Sequence, residues 1–389
     1  MNSGRTVFSQ LMEFLPWSEF EHCVERYGGN HRTRSLSCRD QFLAMAFGQL
    51  TFRESLREIV VCMEAREKQL YHMGIGGAVR RSTMADANET RDWRIFFDFA
   101  MVLIQMTRGL YRDEPFAVEL NDLVYAVDST TITLSRSVFP WARYKHNLGA
   151  IKLHTVLDLH GNIPSFIQIS DGTVHDVNFL DDLVIEPGAF YILDRGYLDY
   201  GRLHRIHQEG GFFITRPRRS FILRRLYSRP VPKGTGLRCD QTVVLVSFYP
   251  RKAYPDQLRR IRFSDPETGS ALTFLSNDFQ LPALTVTQLY KCRWQVELFF
   301  RWIKQHLRIR AFFGTSENAV HTQVWIAITV YVLVALVRKR LGLRLSLYKT
   351  LQILSLTLFE KLPLMQLLTA TGPQIDQEST PNQLMLFKL

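Results

Sequence analysis

The chain has 389 residues, 46% of them hydrophobic and 22% charged, and carries a net charge of +11. That composition excludes a disordered chain and can bury a core for one large domain or two to three smaller ones. The charge favours a polyanionic partner, nucleic acid ahead of membrane, and five scattered cysteines without a C-x-x-C pair argue against a zinc site or a disulfide framework, which fits a reducing cytosol.

In chain order, residues 1–75 read as a helical domain able to bind DNA ends or simply to pack as helices. Ser37 and Asp40 have capping-box spacing ahead of an apolar run, and the start of the chain lacks the layout of a signal peptide. Residues 76–120 form a helical connector. It opens on a turn at Gly74–Ala78, with Ser82 or Thr83 expected to cap the long helix that follows. From 121 to 215 the pattern changes to β-β-β-α-β-α-β, with a turn at His160-Gly161-Asn162. This order predicts a mixed sheet in an α/β layer.

Residues 216–280 read as an all-β insertion. Between Arg216 and Arg262 stand 13 Lys or Arg against two Asp (Asp240 and Asp256), a local excess equal to the net charge of the whole chain. Such a focused patch suits a surface that tracks phosphates, and equally a basic sheet edge that discourages aggregation. Residues 281–370 return to helix. Their longest apolar run, Val324 to Val337, is about 14 residues, short for a membrane span of roughly 20, and is expected to be a buried helix. The tail, 371–389, is polar.

Three carboxylates stand out. "LVYAVD" and "AFYILD" are apolar strands that each end in an acid, Asp128 and Asp194. An Asp after five apolar residues needs compensation by a turn hydrogen bond or by a metal ion. The third is Glu297, inside the aromatic segment "YKCRWQVELFFRWIK". On a continuous helix Tyr290, Arg293, Glu297 and Lys304 share a stripe about 60° wide, roughly 120° round from a core stripe of Cys292, Val296, Phe299 and Ile303. An Arg-Glu-Arg ladder on a solvated face is the plain reading. The other is a divalent-cation site with hard oxygen ligands, Mg²⁺ or Mn²⁺, where two ions could serve a phosphodiester displacement. Tyr290, Arg293 and Lys304 would then face phosphate.

With these residues in place the chain resembles DDE transposases of bacterial insertion sequences, in the insertion-sequence-four group that cuts DNA through hairpin ends. The signature Tyr-x2-Arg-x3-Glu-x6-Lys stands ungapped as Tyr290, Arg293, Glu297 and Lys304, and "VDSTTI", "LDRGY", "KLH" and "DGTVHD" match further segments. The resemblance implies a ribonuclease-H-like mixed-sheet core with an inserted β-rich subdomain and helical N- and C-terminal regions. It implies that Asp128, Asp194 and Glu297 are the catalytic metal ligands, that two Mg²⁺ (or Mn²⁺) ions are the cofactor, and that Tyr290, Arg293 and Lys304 hold an end phosphate. The basic patch, Arg216, Arg218 and Arg219 included, would contact DNA. The partners it implies are terminal inverted repeats and target DNA, met by a homodimer at the bacterial nucleoid in the cytoplasm, with no membrane. Some members stack a flipped base on a Trp in the strand before the signature helix. Here that strand's only aromatic is Phe274. A catalytically inactive, transposase-derived DNA-binding protein is the main rival, ahead of a metal nuclease without strand transfer and a two-carboxylate glycosidase.

Overall fold

The computed structural model describes residues 4–76, 79–112, 114, 118, 120, 122–145, 148–218, 222–265, 269–306 and 312–369. In chain order the helices α1 (Val7–Met12), α2 (Trp17–Arg26), α3 (Cys38–Leu50), α4 (Leu56–Glu64), α5 (Glu67–Leu70), α6 (Arg81–Thr90) and α7 (Arg94–Tyr111) come first. Then follow β1 (Val124–Ser135), β2 (Leu148–Asp158), β3 (Ile163–Asp171), α8 (Phe179–Asp182), β4 (Phe190–Leu193), α9 (Tyr200–Gln208) and β5 (Phe212–Thr215). The insertion adds β6 (Leu223–Arg229), β7 (Leu237–Leu245), α10 (Phe248–Ala253), β8 (Leu258–Ser264) and β9 (Ala271–Ser276). Helices α11 (Ala283–Cys292), α12 (Trp294–His306), α13 (Glu317–Arg340), α14 (Leu347–Thr357) and α15 (Leu364–Thr369) complete the order. The described residues divide into two compact units, 4–112 with 131–151 and 298–369, and 114–130 with 152–297.

The first unit is mostly helical. Ser37 caps α3 through a full capping box with Asp40. Helix α7 buries Ile95, Phe96, Phe99, Ala100, Leu103 and Ile104, a stripe at helical spacing. Phe99 meets Phe20 edge to face at 4.9 Å. Helix α13 packs on α7 and α3, and every residue from Ala319 to Val337 is buried. It is long and apolar enough to cross a membrane, yet its most apolar window lies wholly inside the protein. A helix apolar all round must be surrounded, and here protein surrounds it.

One expectation fails in this unit. Ser82 and Thr83 do not cap the long helix. Both lie within the first turn of α6, whose N-cap, Arg80, makes no side-chain cap bond. The helix breaks instead at Arg91. Its guanidinium turns inward to Gln41 Oε1 at 2.8 Å and to the Ser37 carbonyl at 3.0 Å. Asp92 then accepts the Arg94 amide at 2.9 Å and opens α7.

The strands form one nine-stranded sheet among the described residues, in the order β3-β2-β1-β4-β5-β9-β8-β7-β6. Strand β4 is parallel to β1 and to β5, while β9, β8, β7 and β6 continue antiparallel. The protein is therefore mixed α/β, and the insertion extends the core sheet through the β5–β9 pair. The insertion is not all-β as expected. "SFYPRKA" forms α10, with Ser247 as N-cap and Pro250 in the first turn, where its missing amide costs nothing. The expected hairpin turn after β8 lies partly outside the described residues (266–268). At its ends, the Gly269 amide donates to the Asp265 carbonyl at 2.8 Å.

The basic stretch is not uniformly a surface either. Arg259 is 3% exposed. Its Nε and Nη2 grip the Asp240 carboxylate at 2.9 and 2.8 Å, and its Nη1 donates to the Leu281 carbonyl at 2.6 Å. A buried guanidinium requires such saturation, so Arg259 leaves the set of phosphate-facing cations.

Candidate active site

The site is set by strand register. Strands β1 and β4 pair in parallel with Val127 opposite Leu193, so the next residues, Asp128 and Asp194, stand side by side. Asp194 follows the last residue of β4, as expected. Asp128 does not end its strand: β1 continues to Ser135, and Asp128 marks where full burial gives way to partial burial. It lies at the carboxyl end of β4, the edge of a parallel sheet where ligand sites form.

Glu297 arrives on a helix that is not continuous. Helix α11 stops at Cys292, Arg293 is its C-cap, and α12 begins at Trp294. The Arg293 amide reaches the Tyr290 carbonyl at 3.2 Å and the Val296 amide reaches the Arg293 carbonyl at 3.1 Å, the tighter i to i+3 pattern. Arg293 keeps right-handed dihedrals, so the side-chain stripe survives the break. Its guanidinium bridges two carboxylates, with Nη1 2.7 Å from Asp128 Oδ2 and Nη2 2.7 Å from Glu297 Oε1.

Burial pushes the Asp128 carboxyl up to about 6. Arg293 and the Ser129 amide, which donates to Oδ1 at 2.8 Å, pull it down, while Asp194 and Glu297 push it further up. Burial would lower the Arg293 guanidinium, but Asp128, Tyr290, Asp194 and Glu297 outweigh it and hold the group firmly charged. Among the described residues no three His, Cys, Asp or Glu side chains converge closely enough to ligate one ion. The oxygen donors still suit a hard cation, two adjacent Asp and a Glu, with the Arg293 guanidinium now offsetting the charge of Asp128 and Glu297.

The raised carboxyl has a testable consequence. A group whose folded pKa lies above its unfolded value stabilises the fold at low pH and loses that contribution as pH rises, here between about 4 and 6. Asp128→Asn, whose amide oxygen can still accept from Arg293, is expected to stabilise the protein in EDTA at pH 7.5 by up to about 3 kcal/mol. The gain should vanish by pH 4. Urea unfolding at the two pH values measures it.

Tyr290 is buried and packs on Phe274, ring centroids 5.0 Å apart. Phe274 itself is 1% exposed, so it offers no open face for a base. Arg216 lies against the Tyr290 hydroxyl, and burial lowers its guanidinium. Arg195, from "LDRGY", adds positive charge beside Tyr290 and Arg216, and reading the motif as an Asp alone missed it. Arg218 is exposed, beside Tyr200. Arg219 lies outside the described residues. Lys304 belongs to the first unit, where its Nζ donates to the Thr131 carbonyl at 2.9 Å. His154 is buried, hydrogen-bonded to Ser170 Oγ at 2.8 Å and stacked on Phe179, and burial lowers it to about 4. It is a neutral strand histidine.

With this geometry established, similarity to known proteins is informative. Residues 119–333, more than half of the chain, match the family described as "Transposase DDE domain", and residues 3–76 match a "Domain of unknown function (DUF4372)". The putative transposase y4zB of Sinorhizobium fredii is 34% identical over 283 residues, covering 72% of this chain and 77% of the relative. The probable transposase for insertion sequence element IS5377 of Geobacillus stearothermophilus is 29% identical over 60% of each chain. The putative transposase for insertion sequence element IS4SA of Synechocystis is 24% identical over 82% of this chain and 88% of the relative.

Proposed function

The chain belongs to the transposase DDE-domain family, and from that premise we propose that it cuts insertion-sequence ends and joins them to target DNA at a site built on Asp128, Asp194 and Glu297. The observation that carries this reading is the β1–β4 register, which sets Asp128 beside Asp194, together with the Arg293 guanidinium that ties Asp128 to Glu297. The strand order β3-β2-β1-β4-β5 supports a ribonuclease-H-like core.

Asp128, Asp194 and Glu297 would hold Mg²⁺ or Mn²⁺, as two ions. When bound, these supply Lewis-acid activation of the attacking oxygen and charge stabilisation for the leaving oxygen. The other residues bind and orient. Arg293 holds Asp128 and Glu297 with its two prongs and contributes positive charge toward a phosphate, and Tyr290, Arg216 and Arg195 gather beside it. Water attacks phosphorus and the bond to the 3′ oxygen breaks, freeing a 3′-hydroxyl. That hydroxyl attacks phosphorus at the repeat boundary of the opposite strand, joining the two strands in a hairpin as the flanking DNA leaves with its own 3′-hydroxyl. Water reopens the hairpin, and the regenerated hydroxyl then attacks target DNA, again displacing a 3′ oxygen. Each step exchanges one phosphorus–oxygen bond for another, so no outside energy source is needed. The spacing of Tyr290, Arg293, Glu297 and Lys304 supports placement in the hairpin-forming insertion-sequence-four group. Residues 1–75 are the segment we assign to recognition of DNA ends, and a homodimer would hold two ends together.

Two measurements test this. A duplex that carries a terminal repeat with flanking DNA beyond it should yield, in Mg²⁺, a denaturing-gel band at twice the length of the repeat-side fragment. A ladder of open nicks without that band would remove the hairpin step. Affinity for the same duplex should fall steeply with salt, and alanine at exposed Arg224 or Arg225 should reduce the slope by about one each. A flat salt response would count against the basic strands as the DNA-tracking surface.

A further inference from the structure

The insertion holds aromatic side chains that the cleavage site does not use. Helix α10 presents Phe248 and Tyr249 at 72% and 80% exposure, their rings near perpendicular with centroids 5.4 Å apart. Ile222 and Val246 are exposed nearby in sequence. Large rings left in water forgo burial energy, and an apolar patch of this kind marks a binding surface. Beside Tyr249 opens a cleft of about 360 Å³, lined by Tyr200 and Gly201 at the start of α9 and by Arg218, Ile222 and Ser247. It has the size of a small-ligand pocket and suits one nucleotide, not a duplex.

We propose that the α10 rings and this cleft form a subsite for one unstacked nucleotide of single-stranded DNA. The inference rests on the reading that DNA is the substrate. Flat aromatic faces beside cations are what a base with its phosphate requires. Arg218, Arg224, Arg225, Arg251 and Lys252 are all exposed on the same stretch. Its two acids are engaged elsewhere. Asp240 is gripped by Arg259, and Asp256 pairs with His204 Nε2 at 2.9 Å. Asp199, at the cleft, is turned to its own helix, accepting the Arg202 amide at 3.0 Å as N-cap of α9. A second copy of this chain would bring like charge to like charge, which disfavours the patch as a self-contact. Ser247 offers a hydroxyl to a base edge.

The test is fluorescence anisotropy with two probes, a labelled oligothymidylate and a blunt duplex. Wild type, the Phe248→Ala/Tyr249→Ala double variant and Tyr249→Trp are compared. The double variant should lose at least about tenfold in affinity for the single strand and less than about twofold for the duplex, while Tyr249→Trp keeps single-strand affinity. Both side chains are exposed, so the thermal melt should not move and serves as the folding control. Unchanged single-strand affinity in the double variant overturns the subsite alone. An equal loss on both probes does the same. Tighter binding of an oligouridylate RNA than of the DNA strand overturns the assignment to DNA. Failure of wild type to bind either DNA probe overturns the substrate reading, and the subsite with it.

Discussion

Alanine at Asp128, Asp194 or Glu297 is expected to reduce strand cleavage by at least about 10³-fold while binding to the terminal repeat stays within a few-fold of wild type. The size follows from the several kcal/mol that a metal ligand contributes to charge stabilisation in phosphoryl transfer. The selectivity follows from Arg293. Removing Asp128 leaves its guanidinium on Glu297 at 2.7 Å, and removing Glu297 leaves it on Asp128 at 2.7 Å. Neither change strands a buried positive charge, so the phosphate-facing group stays in place. Asp128 is also a carboxylate that burial disfavours, so its loss need not unfold the protein. Gel shift and denaturing gel, run on the same preparations, measure the two quantities. Parallel loss of binding and cleavage in all three variants would make the carboxylates structural.

Arg259→Ala should be the most damaging single change in the insertion, at about 3 kcal/mol. It leaves Asp240 and Asp278 buried, and breaking a buried pair from one side costs roughly 3–5 kcal/mol. Arg229 remains 3.6 Å from Asp240 and offsets part of the loss, which places the value at the low end. Arg224→Ala, on the exposed strand β6, should change stability by less than about 0.5 kcal/mol and weaken DNA binding instead. Chemical denaturation of both variants, beside duplex titration, reads the contrast. A stable Arg259→Ala protein with weakened DNA binding would return Arg259 to the surface set.

Much of this site was legible because it depends on local pattern. Five apolar residues before Asp128 and before Asp194 identified two strands of one sheet, and the spacing from Tyr290 to Lys304 marked a polar stripe on an apolar helix. What escaped depends on contacts distant in sequence. Nothing in "YKCRW" breaks a helix, since it has neither Gly nor Pro. The break at Arg293 coincides with a guanidinium drawn onto Asp128, 165 residues earlier. Arg259 read as one more cation in a basic strand because its partner, Asp240, sits on another strand and reaches it only through the β7–β8 register. Helix α10 did carry a signal, Ser247 ahead of Phe-Tyr-Pro, but alternation in the flanking strands masked it. The extension of β1 beyond Asp128 reflects its pairing within a larger sheet, which a five-residue apolar run does not disclose.

The most direct measurement uses an end-labelled duplex that carries the repeats flanking this gene, incubated with purified protein in Mg²⁺ or in EDTA, with Glu297→Ala alongside. Cuts at the repeat boundary that require the metal and are absent in the variant are the predicted result. Tight, specific binding with no cleavage in either Mg²⁺ or Mn²⁺ would contradict the account and leave a DNA-binding protein in which Glu297 serves only as a partner for Arg293.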